Sequence, residues 1–163
     1  LYVAPATLGY AFSHPRFNIY KGRMGAWKFL GFGLDAIPHG VTAYAITLLI
    51  HDGLEALGGA IPLEAAGAPG VPLLFAQRGV WAMRMLAKYP ALWSGLGLAL
   101  LSAIWEGGEF LMQRDELRRA AGDTSEINME WGLKDSIYDL FANVIGWGAA
   151  SWQRARQRTR CGK

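Results

Sequence analysis

The chain has 163 residues and a formal net charge of +3; 52% of its residues are hydrophobic and only 18% are charged. Soluble globular domains average about 25% charged residues, so this composition favours an integral membrane protein over a soluble one. The single cysteine, Cys161, excludes an internal disulfide, and the sequence contains no P-loop, GxSxG or HExxH motif.

The first predicted membrane-spanning helix covers about residues 38–57, where the apolar centre is short and His51, Asp52 and Glu55 crowd the far end. Residues 58–74 are rich in glycine and proline, which predicts a loop. Residues 74–88 mix apolar side chains with arginine and lysine. That pattern is typical of an amphipathic helix lying in the membrane interface rather than crossing it.

The clearest predicted span covers residues 89–112. The 17 residues from Tyr89 to Trp105 carry no charge, and Pro90 suits the first turn of a helix. A membrane helix needs about 20 mostly apolar residues, so this segment is long enough with its continuation to Met112. Residues 114–131 are strongly charged and predict a loop that opens with a turn of helix.

The last predicted span covers residues 135–152 and contains one interior charge, Asp139. A basic tail, residues 153–163, follows it directly, which favours a membrane flank over a nucleic-acid contact. The sequence therefore predicts an all-α integral membrane helical bundle. It has three to four transmembrane helices plus one interfacial amphipathic helix, forms a single domain over residues 1–163, and is located in a bacterial inner membrane.

Polar side chains recur at helical spacing near one end of each predicted span. Residues three or four apart share a helix face, so each set forms one polar stripe. If residues 74–88 do not cross the membrane, the three stripes meet in one layer; with a fourth span they would be divided between its two sides. The stripes consist of Asp35 and His39; Glu106, Glu109 and Gln113; and Asp135, Asp139 and Asn143.

Such a cluster supports more than one function. Neighbouring carboxylates raise one another's pKa and therefore attract a proton or a cation. An oxygen-rich set of ligands suits Mg, Ca or Mn, and a mixed carboxylate and imidazole set also suits Mn, Fe or Zn. A carboxylate with a histidine can alternatively serve as a general base. A proton path and a purely structural hydrogen-bond network remain open. The candidate catalytic residues are Glu106, Glu109, Asp139 and His39; the candidate metal ligands are these four with Asp135; and the candidate structural residues are Asn143, Gly146 and Asp35.

His51 stands apart from that cluster. It lies twelve positions after His39, on another face and at the opposite end of its helix. A histidine in a membrane helix can ligate a haem or a chlorophyll, so His51 is the candidate cofactor-binding residue. The alternative is a histidine at a hydrated helix end with no ligand.

Three short motifs resemble the VanZ-like superfamily of small integral membrane proteins. They are D-x3-H from Asp35 to His39, W-E-x2-E from Trp105 to Glu109, and D-L-x-A-N-x2-G from Asp139 to Gly146; the second is closest to the YjdF-like relatives. The family is associated in some members with glycopeptide-antibiotic tolerance, and its chemistry is poorly defined. The polar positions that the resemblance implies are Asp35, His39, Glu106, Glu109, Asp139, Asn143 and Gly146.

The resulting functional expectation is a VanZ-like protein of the cell envelope whose carboxylate and histidine cluster binds or acts on a lipid-linked substrate. The alternative is a non-catalytic accessory subunit of a larger respiratory, photosynthetic or transport complex, in contact with pigment or haem. The expected partners are membrane lipid and other membrane-protein subunits, with no nucleic acid.

Overall fold

The computed structural model describes residues 4–12, 27–60, 73–120 and 131–161, which are predominantly helical. Most of the predicted loop at 58–74 and most of the one at 114–131 lie outside these ranges. The helices are α1 (Ala4–Phe12), α2 (Ala36–Ala60), α3 (Leu73–Lys88), α4 (Pro90–Arg119) and α5 (Leu133–Cys161). The predicted helices are thus present, and α5 continues through the basic tail as far as Cys161.

The prediction of a membrane-spanning bundle is wrong. Among the described residues, no helix combines the length with the apolar character needed to cross a membrane. α4 and α5 have the length, at 30 and 29 residues. However, the uncharged stretch from Tyr89 to Trp105 contains two glycines, two serines, two tryptophans and a proline, which lower its mean hydropathy. The predicted location in a bacterial inner membrane, and the interfacial placement of residues 74–88, relied on those spans and are wrong for the same reason.

The centre of the fold is formed by α2, α4 and α5, with the most extensive packing between α2 and α5. These two helices run parallel, because Gly40 faces Ala142 near their beginnings and Asp52 pairs with Arg154 further along. α4 runs in the opposite direction to α5. Its early residue Ser94 meets Trp147, whereas the later Ser102 bonds to Asn143.

This arrangement brings the beginnings of α2 and α5 together with the second half of α4 at one end of the bundle. That is the convergence expected from three principal helices. α3 packs beside α2, with Ala87 close to Gly58, and stays outside the central three.

Two glycines allow α2 and α5 to approach backbone to backbone. A Cβ added at Gly146 would overlap the carbonyl oxygen of Gly40 and lie 2.9 Å from the backbone nitrogen of Tyr44. A Cβ added at Gly40 would lie 3.3 Å from the carbonyl oxygen of Ala142. The structural role predicted for Gly146 therefore has a direct steric basis, since small residues permit close helix contacts.

The interior of the bundle is small and polar rather than large and apolar. The buried hydrophobic side chains of the described residues are five alanines and Leu98. The largest fully buried side chains are polar: His51, Thr47 and Ser94. Large apolar side chains such as Leu100 and Ile104, each 63% exposed, face outwards.

A tight turn before α2 positions the first polar residue of the cluster. Leu30 and Gly31 have positive φ angles of 52° and 90°, and the backbones of Phe29 and Phe32 pair across the turn. Glycine adopts this conformation without strain. Asp35 then begins α2, with its Oδ1 accepting a hydrogen bond of 3.0 Å from the backbone nitrogen of Ala36. A carboxylate at this position stabilises the first turn of the helix.

Candidate acid–base site

The cluster is built around one close pair between α2 and α5. His39 Nε2 lies 3.7 Å from Asp139 Oδ2, and the two side chains are 23% and 9% exposed. His39 is on the first turn of α2 and Asp139 on the second turn of α5, so the parallel packing of these helices places them opposite each other. Two ionisable groups thus share a largely buried interface.

Burial favours the neutral form of both members of this pair. Burial raises the pKa of Asp139 to about 8, and the carboxylates of Asp35, Glu106, Asp135 and Glu109 add to the increase. Burial also lowers the pKa of His39, although the same neighbouring carboxylates oppose that shift. At neutral pH the pair is therefore a protonated carboxyl beside an uncharged imidazole.

A second titratable carboxyl lies on α4. Burial, followed by the negative charge of Glu106, raises the pKa of Glu109 to about 7, even though Trp105 opposes the shift. The indole nitrogen of Trp105 donates a hydrogen bond of 2.8 Å to Glu109 Oε1. Glu106 Oε2 is buried and has no hydrogen-bond partner among the described residues. The site therefore combines an acceptor without a hydrogen-bond partner, Glu106 Oε2, with two carboxyls, Asp139 and Glu109, whose pKa values lie near neutrality.

A buried hydrogen bond fixes α4 against α5 next to these carboxyls. Asn143 Nδ2 donates to Ser102 Oγ over 3.0 Å. Asn143 lies one turn after Asp139, and Ser102 one turn before Glu106, so the bond sets the spacing between the two acidic stripes. The sequence analysis missed Ser102. Its position four residues before Glu106 was the available signal.

The two remaining carboxylates lie at the edge of the cluster. Asp135, on the first turn of α5, is 4.0 Å from Lys28 Nζ, and both side chains are about half exposed. Asp35 caps α2. Both carboxylates act on the buried pair through their charge, since they contribute to the raised pKa of Asp139.

The predicted metal ligands do not form a metal-binding site in the described part of the chain. Among the described residues, no group of three or more histidine, cysteine, aspartate or glutamate side chains could hold a metal ion. The proposed ligands share an end of the bundle and influence one another electrostatically, but they are not gathered into a coordination shell.

His51, the candidate cofactor ligand, lies at the opposite end of the α2–α5 interface. It is 2% exposed, and neither ring nitrogen has a hydrogen-bond partner among the described residues. A haem or chlorophyll could reach this ring only if the two helices separated, because an axial ligand must present its ring edge to the cofactor. Pigment or haem binding at His51 is not tested by this arrangement and stays a prediction.

The sequence analysis also missed an apolar groove of about 540 Å³ on the outer side of α2 and α5. Small residues including Gly40, Ala142 and Gly146 form its floor, and aromatic residues from the turn before α2 stand beside them. His39 directly precedes Gly40, so the groove and the acid–base pair use neighbouring positions of the same helices. The lining residues are Trp27, Phe29, Phe32, Gly33, Ala36, Ile37, Gly40, Val41, Tyr44, Ala142, Ile145, Gly146 and Ala149.

Comparison with known proteins finds no matching family model, no matching curated protein and no matching solved structure. The resemblance to the VanZ-like superfamily stays a prediction, and the chemistry of the site rests on its own geometry.

Proposed function

We propose that this protein is an acid–base catalyst in which Asp139 and His39 exchange a proton with a bound substrate. The observation that carries the proposal is the buried pair itself, 3.7 Å apart on two packed helices. Perturbed carboxyl and imidazole groups that share a buried position are characteristic of catalytic sites.

The two residues have complementary roles at neutral pH. Asp139 keeps its proton because its pKa is raised to about 8, so it serves as the general acid. His39 is uncharged because burial lowers its pKa, so it serves as the general base. Such proton transfer contributes roughly 10²- to 10⁴-fold to a reaction rate. Glu109, with a pKa of about 7, supplies a second exchangeable proton.

The groove supports a substrate with a long apolar portion, such as a lipid-linked molecule. Its floor is narrow because Gly40 and Gly146 lie in contact, and its rim carries Phe29 and Phe32. An aliphatic chain in the groove would lie along α2 and α5, beside Gly40, which directly follows His39 in the sequence. His39 and Asp139 are not among the lining residues, so the polar end of the substrate would extend beyond the groove to reach the acid–base pair.

The first test measures protonation of the pair. Infrared and NMR titrations of the wild type should show a carboxyl that titrates near pH 8 and disappears in Asp139→Asn. Asp115→Asn provides the matched control, because Asp115 is an exposed residue of α4 paired with Arg119. If every carboxyl titrates in its ordinary range, the acid–base proposal fails.

The second test uses a pyrene-labelled long-chain fatty acid as a groove probe. It should bind the wild type and shift the titration of Asp139. Ala149→Trp, which fills the groove, should abolish binding, whereas Ala155→Trp on the exposed continuation of α5 should not. If the probe binds without changing the titration of Asp139, the groove does not serve the acid–base site. That result refutes the lipid-linked substrate but leaves the acid–base proposal standing.

A different function, a non-catalytic subunit of a larger assembly, is favoured by the outward-facing apolar residues. Large exposed apolar patches commonly mark interaction surfaces. On α4, side chains at helical spacing such as Leu92, Leu96 and Leu100 are 53–63% exposed. A mass spectrum of the intact protein from its native source tests this function: other chains in the complex would support it, and the mass of a single chain of this protein would refute it.

A further inference from the structure

The far end of the α2–α5 interface contains a second polar layer, unrelated to the acid–base site. His51 and Thr47 lie one turn apart on α2 and are 2% and 0% exposed. Neither has a hydrogen-bond partner for its side chain among the described residues, and Ser151 Oγ and Arg154 Nε on α5 have none either. Burying polar atoms without partners costs free energy, so this polar layer lowers the stability of an otherwise extensive helix contact.

Two ion pairs between the helices flank His51. Arg154 pairs with Asp52, the residue directly after His51. Arg158 Nη2 lies 2.6 Å from Glu55 Oε1 one turn further on. Both pairs join α2 to α5, and they account for two of the arginines in the basic tail. This end of the interface is therefore held by charge pairing around one enclosed imidazole.

The charged groups that surround His51 come from these two helices. Arg154 and Arg158 face it from α5, and Asp52 and Glu55 lie beside it on α2. α4 packs nearby through Gly97 against Ile50. α3 approaches through Ala87 against Gly58, and the side chains of Arg84 and Lys88 on α3 are exposed.

We propose that protonation of His51 opens the contact between the carboxyl-terminal half of α2 and α5. This acid-sensitive contact, called the clasp below, consists of His51 and the ion pairs Asp52–Arg154 and Glu55–Arg158. A protonated imidazole has two N–H donors and no acceptor. The acceptors beside it, Asp52 and Glu55, already bind the two arginines. Protonation places a positive charge in an enclosed position beside Arg158 and Arg154, where it is repelled by both. We expect the charged ring either to draw a carboxylate away from its arginine or to leave the interface, and both outcomes loosen this end of the helix pair.

The direction of the pH effect follows from the same surroundings. Burial, and then the positive charge of Arg158, lowers the pKa of His51 below its ordinary 6.5. The folded protein binds this proton less readily than the unfolded chain does, so the stabilisation is complete above pH 6.5. It is lost as the pH falls through the folded pKa. The clasp is closed at neutral pH and opens in acid.

Amide hydrogen exchange resolved along the chain tests the clasp. Exchange rates at about pH 7.5 and pH 5, corrected for the intrinsic pH dependence, are compared over residues 47–58 and 150–160. Each unit by which the folded pKa lies below 6.5 allows up to about a tenfold rise in the open population. We expect that rise in the wild type and its loss in His51→Gln.

His39→Gln is the matched control, because it removes a histidine of α2 at the opposite end; it should change the acid response only near residues 36–43 and 133–143 and leave that of residues 47–58 and 150–160 intact. An equal response in His51→Gln, or a response confined to residues 133–143, overturns the proposal. Should His51→Gln fail to fold, the imidazole signal of His51 in the wild type decides. A pKa below 6.5 that coincides with the exchange transition supports the clasp, and a pKa at or above 6.5 refutes it. The acid–base site can fail its own tests without affecting this result.

Discussion

Asp139 and His39 lie 3.7 Å apart on different helices, and both are uncharged at neutral pH. An ordinary ion pair would keep the carboxylate ionised and the imidazole protonated. Here burial disfavours both charged forms; the surrounding carboxylates reinforce this effect on Asp139 but oppose it on His39. The contact therefore joins two neutral groups and is not an ordinary salt bridge.

Asp139→Asn should change how the stability of the protein depends on pH. The folded pKa of Asp139 is raised from 3.8 to about 8, so its contribution to stability is complete below about pH 4 and is lost as the pH rises to about 8. Removing it should raise the free energy of unfolding at pH 8, relative to that at pH 4, by several kcal/mol at most. Urea unfolding across this range measures the effect. Parallel curves for the variant and the wild type would contradict it.

Glu109→Gln should lower the pKa of Asp139. The charge of Glu109 is one cause of the raised value, and the amide keeps an oxygen that can accept the hydrogen bond from Trp105. Because Glu109 contributes less than Glu106 to the raised pKa of Asp139, the decrease should be smaller than that caused by Glu106→Gln. NMR titration of Asp139 in the two variants measures both shifts, and Asp115→Asn on the same helix should produce neither. A larger decrease in the pKa of Asp139 in Glu109→Gln than in Glu106→Gln would contradict this prediction.

Gly146→Ala should destabilise the bundle because its methyl group would overlap the carbonyl oxygen of Gly40. Overpacking of this kind costs about 1–3 kcal/mol. Gly148→Ala is the matched control, since an added Cβ there meets nothing within 4 Å and alanine favours a helix by up to about 1 kcal/mol. Thermal and urea unfolding compare the two variants. Equal behaviour would mean that α2 and α5 do not approach at Gly40.

Asn143→Ala and Ser102→Ala should each destabilise the protein by about 1–3 kcal/mol, because each leaves a buried polar partner unpaired. The double variant should cost less than the sum of the two, since it removes both groups. A double-mutant cycle measured by urea unfolding gives the coupling energy. Strict additivity would show that the bond contributes nothing to joining α4 and α5.

Much of this architecture was predictable from local patterns. The 3.6-residue period places His39 one turn after Asp35, and Asn143 one turn after Asp139, whatever surrounds the helices. Three principal helices with a peripheral fourth then bring those stripes to one end. The prediction of membrane-spanning helices was wrong because it relied on the absence of charge from Tyr89 to Trp105, and not on the mean hydropathy of that segment. A segment rich in glycine, serine and tryptophan can lack charge without being hydrophobic enough to span.

Which residues share a helix face follows from local sequence, because helical periodicity depends only on neighbours along the chain. What those faces contact depends on the tertiary structure. It paired Asp52 with Arg154 and Glu55 with Arg158, so that much of the basic tail joins α2 to α5. It also enclosed His51 and Thr47 and gave Asn143 its partner Ser102. Ion pairing, burial and shifted pKa values depend on distances between separate helices, and no local pattern contains those distances.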